Sequence, residues 1–185
     1  MKRYVSKVME SPVGPLKLIA SDAGLAAILW KNDSPRRVPL AEPVPQPDHP
    51  VLLEAERQLS DYFAGERQAF ELPLDFAGTD FQRRVWSALL SIPYGETRSY
   101  RDIARQIGNP AAVRAVGAAN GRNPISIIAP CHRVVGSSGD LTGFAGGLET
   151  KAALLALERR GLGQGPRRDG GLQRKGSQQH EFSAF

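Results

Sequence analysis

The first thirty residues alternate short apolar runs with turn-forming residues, a pattern typical of β-strands joined by tight turns. The runs "LKLIA" and "LAAILW" are separated by "SPVGP" and "SDAG". This predicts an antiparallel meander from Tyr4 to Trp30. The Pro-rich connector "SPRRVPLAEPVPQPDHP" follows, and we expect no regular structure there because proline removes a backbone hydrogen-bond donor.

Helical spacing of apolar residues begins after this connector. The segment "VLLEAERQLSDYFAG" predicts a helix, with Gly65 as its stop. "FELPLDF" then predicts one more strand, and the composition changes between residues 76 and 79. The apolar face of the helix is expected to contain Leu52, Leu53, Leu59, Tyr62 and Phe63.

The second half of the chain opens with a helix signal, because Thr79 and Gln82 form a capping box. Ser99 and Asp102 then cap a shorter helix that ends at Gly108. One apolar stripe on the first of these helices is expected to comprise Phe81, Val85, Trp86, Leu89 and Leu90.

A further helix is predicted from near Pro110 through Asn120. Two short helices joined by a glycine-containing turn are typical of a helix-turn-helix. The second helix consists of Ala, Val and Gly around a single cation, Arg114. Such a face could approach a nucleic-acid groove closely. The alternative is a small helix packed in the core with Arg114 in solvent.

The remaining segments surround the only cysteine of the chain, Cys131. "ISIIAP" predicts a short buried strand before it, and "GSSGDLTGFAGGLE" a glycine-rich loop after it. "TKAALLALERRG" predicts an amphipathic helix capped by Gly161. We therefore expect an α+β protein. Its parts are an N-terminal domain of antiparallel sheet and helix over 1–77, a mainly helical domain over 78–161, and a disordered basic tail over 162–185.

Charge and composition narrow the function classes. The net charge of +5 and pI near 9.7 favour a polyanionic partner. One cysteine cannot form an internal disulfide, which fits the reducing cytoplasm. No apolar run is long enough to cross a membrane, and three histidines beside one thiol are too few for a structural zinc site.

A lone cysteine is usually an inert core residue, but the surroundings of Cys131 favour reactivity. Pro130 constrains the backbone, and His132 supplies a base. Successive side chains of an extended segment point to opposite faces, so a Cys131–His132 pair requires a turn or a bridging water. Glu158 is a candidate to orient the histidine, and Glu149 is the local alternative.

At these residues the chain becomes recognisable. "NPISIIAPCHRVVG" with "LTGFAGGLETK" strongly resembles the O6-alkylguanine-DNA alkyltransferases, from "TDFQRRVWSALLSIPYGETRSY" to Glu158. The first half matches only in its pattern. The resemblance implies DNA repair by a monomer without a cofactor. A flipped O6-alkylguanine in double-stranded DNA would transfer its alkyl group irreversibly to Cys131. Activity on O4-alkylthymine stays open.

The resemblance also implies roles for individual residues. Cys131 corresponds to the acceptor thiol, His132 to the water-mediated base and Glu158 to the carboxylate that polarises it. Asn123 corresponds to the residue that braces the active-site turn, and Tyr100 to the proton donor or relay. The implied DNA contacts are the arginine finger Arg114 with Ala115, Ala118 and Asn120, and the implied base pocket is Ser137, Phe144, Ala145 and Gly146.

Three positions depart from the family pattern. Phe144 stands where some members have tyrosine, and Ala145 where some have serine, so a hydrogen bond to O6 at that position would come from the backbone. Ser126 replaces a frequent proline, and we expect little effect from it.

Two other function classes are weighed against alkyl transfer. A non-catalytic alkylated-DNA-binding protein would not need Cys131, His132 and Glu158, all of which are present. A cysteine hydrolase usually takes its histidine from a distant segment and requires an oxyanion hole. The spacing here does not favour that arrangement.

Overall fold

The structure is a computed structural model that describes residues 1–163. The tail predicted for 162–185 therefore lies outside the described residues from 164 onward. The last helix continues through residues 162 and 163, two residues past the predicted domain limit at 161. Within the described part of the chain, no helix is long and apolar enough to cross a membrane.

A four-stranded sheet forms the N-terminal part, in the order β3-β2-β1-β4. Neighbouring strands among the first three pair antiparallel, which confirms the meander. The fourth strand pairs parallel to the first, so the sheet is mixed. This strand lies in the Pro-rich connector, so the prediction that the connector holds no regular structure is wrong there. Proline is tolerated there because this is an edge strand. The strands are β1 (Val5–Met9), β2 (Leu16–Ser21), β3 (Gly24–Trp30) and β4 (Val44–Pro45).

Helix α1 (Pro50–Phe63) packs on this sheet. Its predicted apolar face is buried except for Leu53, which is 48% exposed. "FELPLDF" does not form the predicted strand. It makes a single bridge between Leu74 and Leu25, because Pro73 has no backbone N–H with which to continue a ladder.

The second half is mainly helical, as predicted. Both expected capping boxes form, at Thr79 with Gln82 and at Ser99 with Asp102. The helix after Pro110 starts at Val113. The elements of the second half are α2 (Asp80–Leu89), β5 (Arg98–Ser99), α3 (Tyr100–Gln106), α4 (Val113–Gly121), a 3₁₀ turn (Cys131–Arg133), β6 (Val134–Val135) and α5 (Leu148–Gly163).

The strand predicted for "ISIIAP" is wrong. Ile125 makes one bridge to Ile28, and the chain then turns. The backbone N–H groups of Ile128 and Ala129 donate to the carbonyls of Ser126 and Ile125, both at 2.9 Å. Ile127 has φ 74°, in the left-handed region that β-branched residues rarely adopt. The apolar run is buried as expected, but an apolar run alone cannot distinguish a strand from a buried turn.

Two apolar clusters make up most of the core. The larger joins the sheet and α1 to the turn at Ile125 and to α5. The smaller contains α2, α3, α4 and Cys131. Leu90, which was predicted as part of the apolar stripe of α2, is 44% exposed and follows the end of that helix. Gly161 is not a cap but a residue within α5, where a Cβ would collide with the Tyr94 hydroxyl.

Candidate active site

Cys131 begins the 3₁₀ turn directly after Pro130 and is 4% exposed. This turn supplies the bend that a Cys131–His132 pair requires. Burial raises the pKa of the thiol. A hydrogen bond with Asn123, the charges of Arg37 and Lys151, and a hydrogen bond with Ser126 oppose that effect without overcoming it. The thiol is therefore neutral at pH 7 and needs a base to become a nucleophile.

Asn123 ties together the two ends of the turn that precedes the thiol. Its Nδ2 donates to the carbonyl of Ala129 at 2.8 Å, and its Oδ1 accepts from the backbone N–H of Ile125 at 3.1 Å. Arg37 donates to the carbonyl of Asn123 at 2.7 Å and is ion-paired with Asp33. The sequence-predicted brace is thus in contact with the N-terminal part of the chain.

Ser126 has contacts that sequence reasoning did not anticipate. Its side chain is fully buried and lowers the pKa of the Cys131 thiol slightly, against the effect of burial. Its Oγ also accepts a hydrogen bond from the indole Nε1 of Trp30 at 3.3 Å. A proline here would remove the hydroxyl that accepts from Trp30, and the expectation that the serine has little effect stays a prediction.

His132 and Glu158 are both fully buried, and Nε2 of His132 lies 2.6 Å from Oε2 of Glu158. Burial lowers the pKa of His132, although the hydrogen bond and charge of Glu158 oppose this. A neutral ring then carries its proton on Nε2, which leaves Nδ1 as the acceptor. Nδ1 is buried and has no hydrogen-bond partner within residues 1–163. Glu149, the other candidate, is exposed in the first turn of α5.

Glu158 receives more donors than His132 alone. Arg133 donates to both carboxylate oxygens, from Nε at 2.7 Å and from Nη2 at 3.1 Å. The hydroxyl of Tyr62 donates to Oε2 at 2.6 Å, and the backbone N–H of Gly95 donates to Oε1 at 3.2 Å. Burial would raise the pKa of Glu158, but His132 and Arg133 hold it at about 2. The carboxylate is therefore ionised at neutral pH.

Sequence reasoning missed two side chains of this cluster. Arg133 follows His132 directly, so its place in the chain was a usable signal. Tyr62 was interpreted only as part of the apolar face of α1, and no local signal connects it to a carboxylate 96 residues away.

The glycine-rich loop carries all four residues of the predicted base pocket. Tyr100 is hydrogen-bonded to Thr142 of this loop, with 2.6 Å between their oxygens. Lys151 is fully buried and donates to the carbonyls of Val134 at 2.7 Å and Thr142 at 2.9 Å. Lys151 is a further residue that the sequence did not reveal, and it fastens the loop to the strand after the thiol.

The remaining pocket residues differ in exposure. Ser137 and Ala145 are exposed, and Phe144 is half-buried. Phe144 packs against Trp30 of β3, and a Cβ on Gly146 would lie 2.9 Å from the same indole. The pocket loop is therefore supported by the N-terminal sheet.

Helix α4 presents Arg114, Ala115 and Ala118 to solvent. Gly117 lies close to the ring of Tyr100, where a Cβ would be 3.8 Å from it. Asn120 is 5% exposed and lies on the buried side of the helix, so it does not share the exposed face. A contact of Asn120 with DNA stays a prediction.

Comparison with known proteins gives matches over both halves of the chain. The protein-family model described as "6-O-methylguanine DNA methyltransferase, ribonuclease-like domain" matches residues 4–76. The model described as "6-O-methylguanine DNA methyltransferase, DNA binding domain" matches residues 80–160.

Individual relatives match along most of their length. The methylated-DNA–protein-cysteine methyltransferase of Mycobacterium tuberculosis H37Rv is 52% identical over 155 residues, covering 83% of this chain and 91% of the relative. That of Methanosarcina acetivorans is 49% identical over 156 residues, covering 82% and 96%. The crystal structure of Mycobacterium tuberculosis OGT in complex with DNA has a TM-score of 0.77 and 50% identity, and the match covers 86% of this chain and 94% of that one. With the buried cysteine, histidine and glutamate in place, the chain belongs to the methylated-DNA–protein-cysteine methyltransferase family.

Proposed function

We propose that the chain repairs O6-alkylguanine in double-stranded DNA by moving the alkyl group to Sγ of Cys131, once per molecule. Membership of the family makes it a DNA-repair methyltransferase. The observation that carries the proposed residue roles is the buried 2.6 Å contact between Glu158 and His132, the residue that follows the buried neutral thiol of Cys131 in the chain. Family membership does not by itself assign those roles.

The first step is removal of the thiol proton. Neutral His132 holds its own proton toward Glu158, so Nδ1 can accept the Cys131 proton through a bridging water. The ionised Glu158 then stabilises the imidazolium that forms. Asn123 and Ser126 lower the pKa of the thiol against the effect of burial and so favour the thiolate.

The second step is displacement at the alkyl carbon. The thiolate forms an S–C bond as the C–O6 bond breaks, and the electron pair of that bond stays on the guanine. Tyr100 donates or relays a proton to the leaving guanine. The product is a thioether that ordinary hydrolysis does not reverse. Each molecule therefore acts once, and neither step needs a cofactor.

The base must leave the helix before this reaction, because the alkyl carbon cannot be attacked in line within the stack. Phe144 would cover the face of the flipped base. Backbone groups of Ser137, Ala145 and Gly146 would contact its edge. Small and exposed residues on α4, together with Arg114, fit the minor groove, where Arg114 would fill the gap. Phosphate contacts make such binding weaker as salt rises.

We further propose the domain limits 1–77 and 78–161, a monomer as the active form and a cytoplasmic location. Cys131, His132 and Glu158 all come from one chain, which supports a monomer. The single cysteine suits a reducing compartment.

The test is intact-protein mass after incubation with duplex DNA that carries O6-methylguanine. We expect one added methyl group per protein, located on Cys131 by peptide mapping, and no addition in Cys131→Ser. Turnover of many equivalents would contradict the single-use mechanism. Lesion binding without mass gain would instead support the non-catalytic alternative. Repeating the measurement with ethyl and benzyl lesions, and with O4-methylthymine, defines the substrate range.

A further inference from the structure

The hydroxyl of Tyr62 and the Nε2 of His132 lie at the same distance, 2.6 Å, from the same oxygen, Oε2 of Glu158. The three side chains are fully buried. Tyr62 belongs to α1, whereas His132 and Glu158 lie in the second half of the chain. The N-terminal part therefore contributes a polar group directly to the carboxylate of the proposed catalytic set.

The direction of the tyrosine hydrogen bond is settled by the charges around it. Burial and the negative charge of Glu158 raise the pKa of Tyr62 well above its ordinary value, so its phenol keeps its proton. Glu158 is ionised and can only accept. Tyr62 is consequently a donor, and it shares the electron density of Oε2 with the imidazole N–H.

The other donors to Glu158 are anchored elsewhere or bond its other oxygen. Loss of the Tyr62 donor would therefore act mainly on the hydrogen bond between Glu158 and His132. Arg133 is anchored a second time by its Nη1, which donates to the carbonyl of Ile92 at 2.7 Å. Its contact with Oε2 is the longer one, at 3.1 Å. Gly95 donates to the other oxygen, and the Tyr94 ring lies beside the Arg133 guanidinium. Lys151 and Arg133 add positive charge near His132.

We propose that Tyr62 is a positioning residue that limits how strongly Glu158 polarises His132. This inference rests on the proposed function of His132 as the base for Cys131. Without the phenol, Oε2 would accept more strongly from the imidazole N–H, and the ring would become more basic. Its conjugate acid would then persist to higher pH, where it cannot take the thiol proton.

The direct test is NMR of protein with ¹⁵N-labelled histidine. The chain has three histidines, His49, His132 and His180, so the ring signals can be assigned by substitution. In Tyr62→Phe we expect the Nε2–H proton of His132 to move downfield, because its hydrogen bond to Glu158 strengthens. The signal staying where it is in the wild type would overturn the proposal.

Tyr94→Phe is the matched control. The Tyr94 ring packs edge-on against Tyr62, and its hydroxyl is buried without a hydrogen-bond partner in the described part of the chain. This variant removes the same chemical group at nearly the same place, but no donor to Glu158. We expect the His132 signal to stay unchanged. An equal shift in both variants would mean that packing, and not the hydrogen bond, sets the signal.

A second measurement guards against misfolding of Tyr62→Phe. 3-Fluorotyrosine placed at position 62 keeps the shape of the side chain but makes the phenol a stronger donor. The His132 Nε2–H signal should then move upfield, opposite to the phenylalanine variant. A shift in the same direction as Tyr62→Phe would count against the proposal.

The kinetic consequence is measured as the rate of a single methyl transfer against pH. We expect the acid limb in Tyr62→Phe to lie about half a pH unit higher, which is about threefold in rate on that limb. If the NMR signal shifts but the acid limb does not, the hydrogen-bond assignment is correct and the role of His132 as the base is wrong. No methyl transfer by the wild type would refute the proposed function and leave the NMR result readable.

Discussion

The ring of Phe144 meets the indole of Trp30 edge to face, with ring centres 5.4 Å apart. This contact joins the proposed cover of the flipped base to the last residue of β3. The same indole donates to Ser126 beside the thiol. One side chain of the N-terminal sheet therefore supports both the base pocket and the surroundings of the nucleophile.

Substitution of Gly146 tests this support. A Cβ there would lie 2.9 Å from the Trp30 indole and 3.0 Å from the Phe144 ring, so Gly146→Ala must displace the pocket loop. We expect the single-turnover rate on O6-methylguanine duplex to fall about tenfold, because small displacements of positioning groups are costly. Gly143→Ala is the control, since a Cβ at Gly143 meets no heavy atom within 4 Å. Equal rates in the two variants would refute the support role.

Glu158→Gln distinguishes the two carboxylates that the sequence left open. The amide keeps the shape but loses the charge that stabilises the imidazolium, so we expect the transfer rate to fall about 100-fold or more. Arg133 would lose its buried counter-charge, at a cost of about 3–5 kcal/mol in unfolding free energy. Glu149→Gln on the same helix should leave both quantities near wild type. The opposite ranking in the kinetic assay would exclude Glu158.

Arg114→Ala should separate base extrusion from chemistry. Since unstacking a base costs a few kcal/mol, we expect transfer from duplex DNA to slow at least about tenfold. Transfer from the free base O6-benzylguanine needs no extrusion and should be unchanged. Arg159→Ala removes the same charge from an exposed position on α5. A loss with the free base would show that Arg114 acts on the chemistry instead.

The buried histidine should make stability depend on pH. Burial lowers the pKa of His132 in the folded state, so below about 6.5 the unfolded chain binds the proton more readily. The contribution of His132 to the free energy of unfolding is fully present above pH 6.5. It is lost as pH falls below that value, by at most about 1.4 kcal/mol per pH unit. Glu158 has a depressed folded pKa of about 2, so it adds a further loss below about 4.5.

Urea unfolding between pH 8 and pH 5 measures this slope. In His132→Gln the titrating group is gone, and the slope over this range should be shallower than in the wild type. Parallel curves would mean that His132 is not held neutral in the folded protein.

Local chemistry explains which elements could be predicted from the sequence. The caps at Thr79 and Ser99 are satisfied by residues three positions away, so the pattern contains the whole interaction. The meander was equally local. The parallel pairing of β4, by contrast, depends on the path of a long connector back to β1. No short pattern encodes such a path.

The candidate site divides in the same way. The motif around Cys131 and the resemblance that it carries identified His132 and Glu158, which the structure brings together. The contact of Tyr62 with Glu158 was not predicted, because a tyrosine on the apolar face of a helix is already explained by packing in the core. The burial of Asn120 was not predictable, because a helix of small residues has little contrast between its two faces and only packing shows which face is buried.

The left-handed backbone of Ile127 has a consequence for when the thiol can react. Among residues 1–163 it is the only non-glycine residue with positive φ. A β-branched side chain disfavours that conformation by roughly 1–3 kcal/mol. In the unfolded chain this segment would relax toward an extended form, and Cys131 would be separated from His132, Glu158 and Asn123. Nucleophilic reactivity is therefore conditional on folding, so a nascent or damaged chain presents an ordinary cysteine.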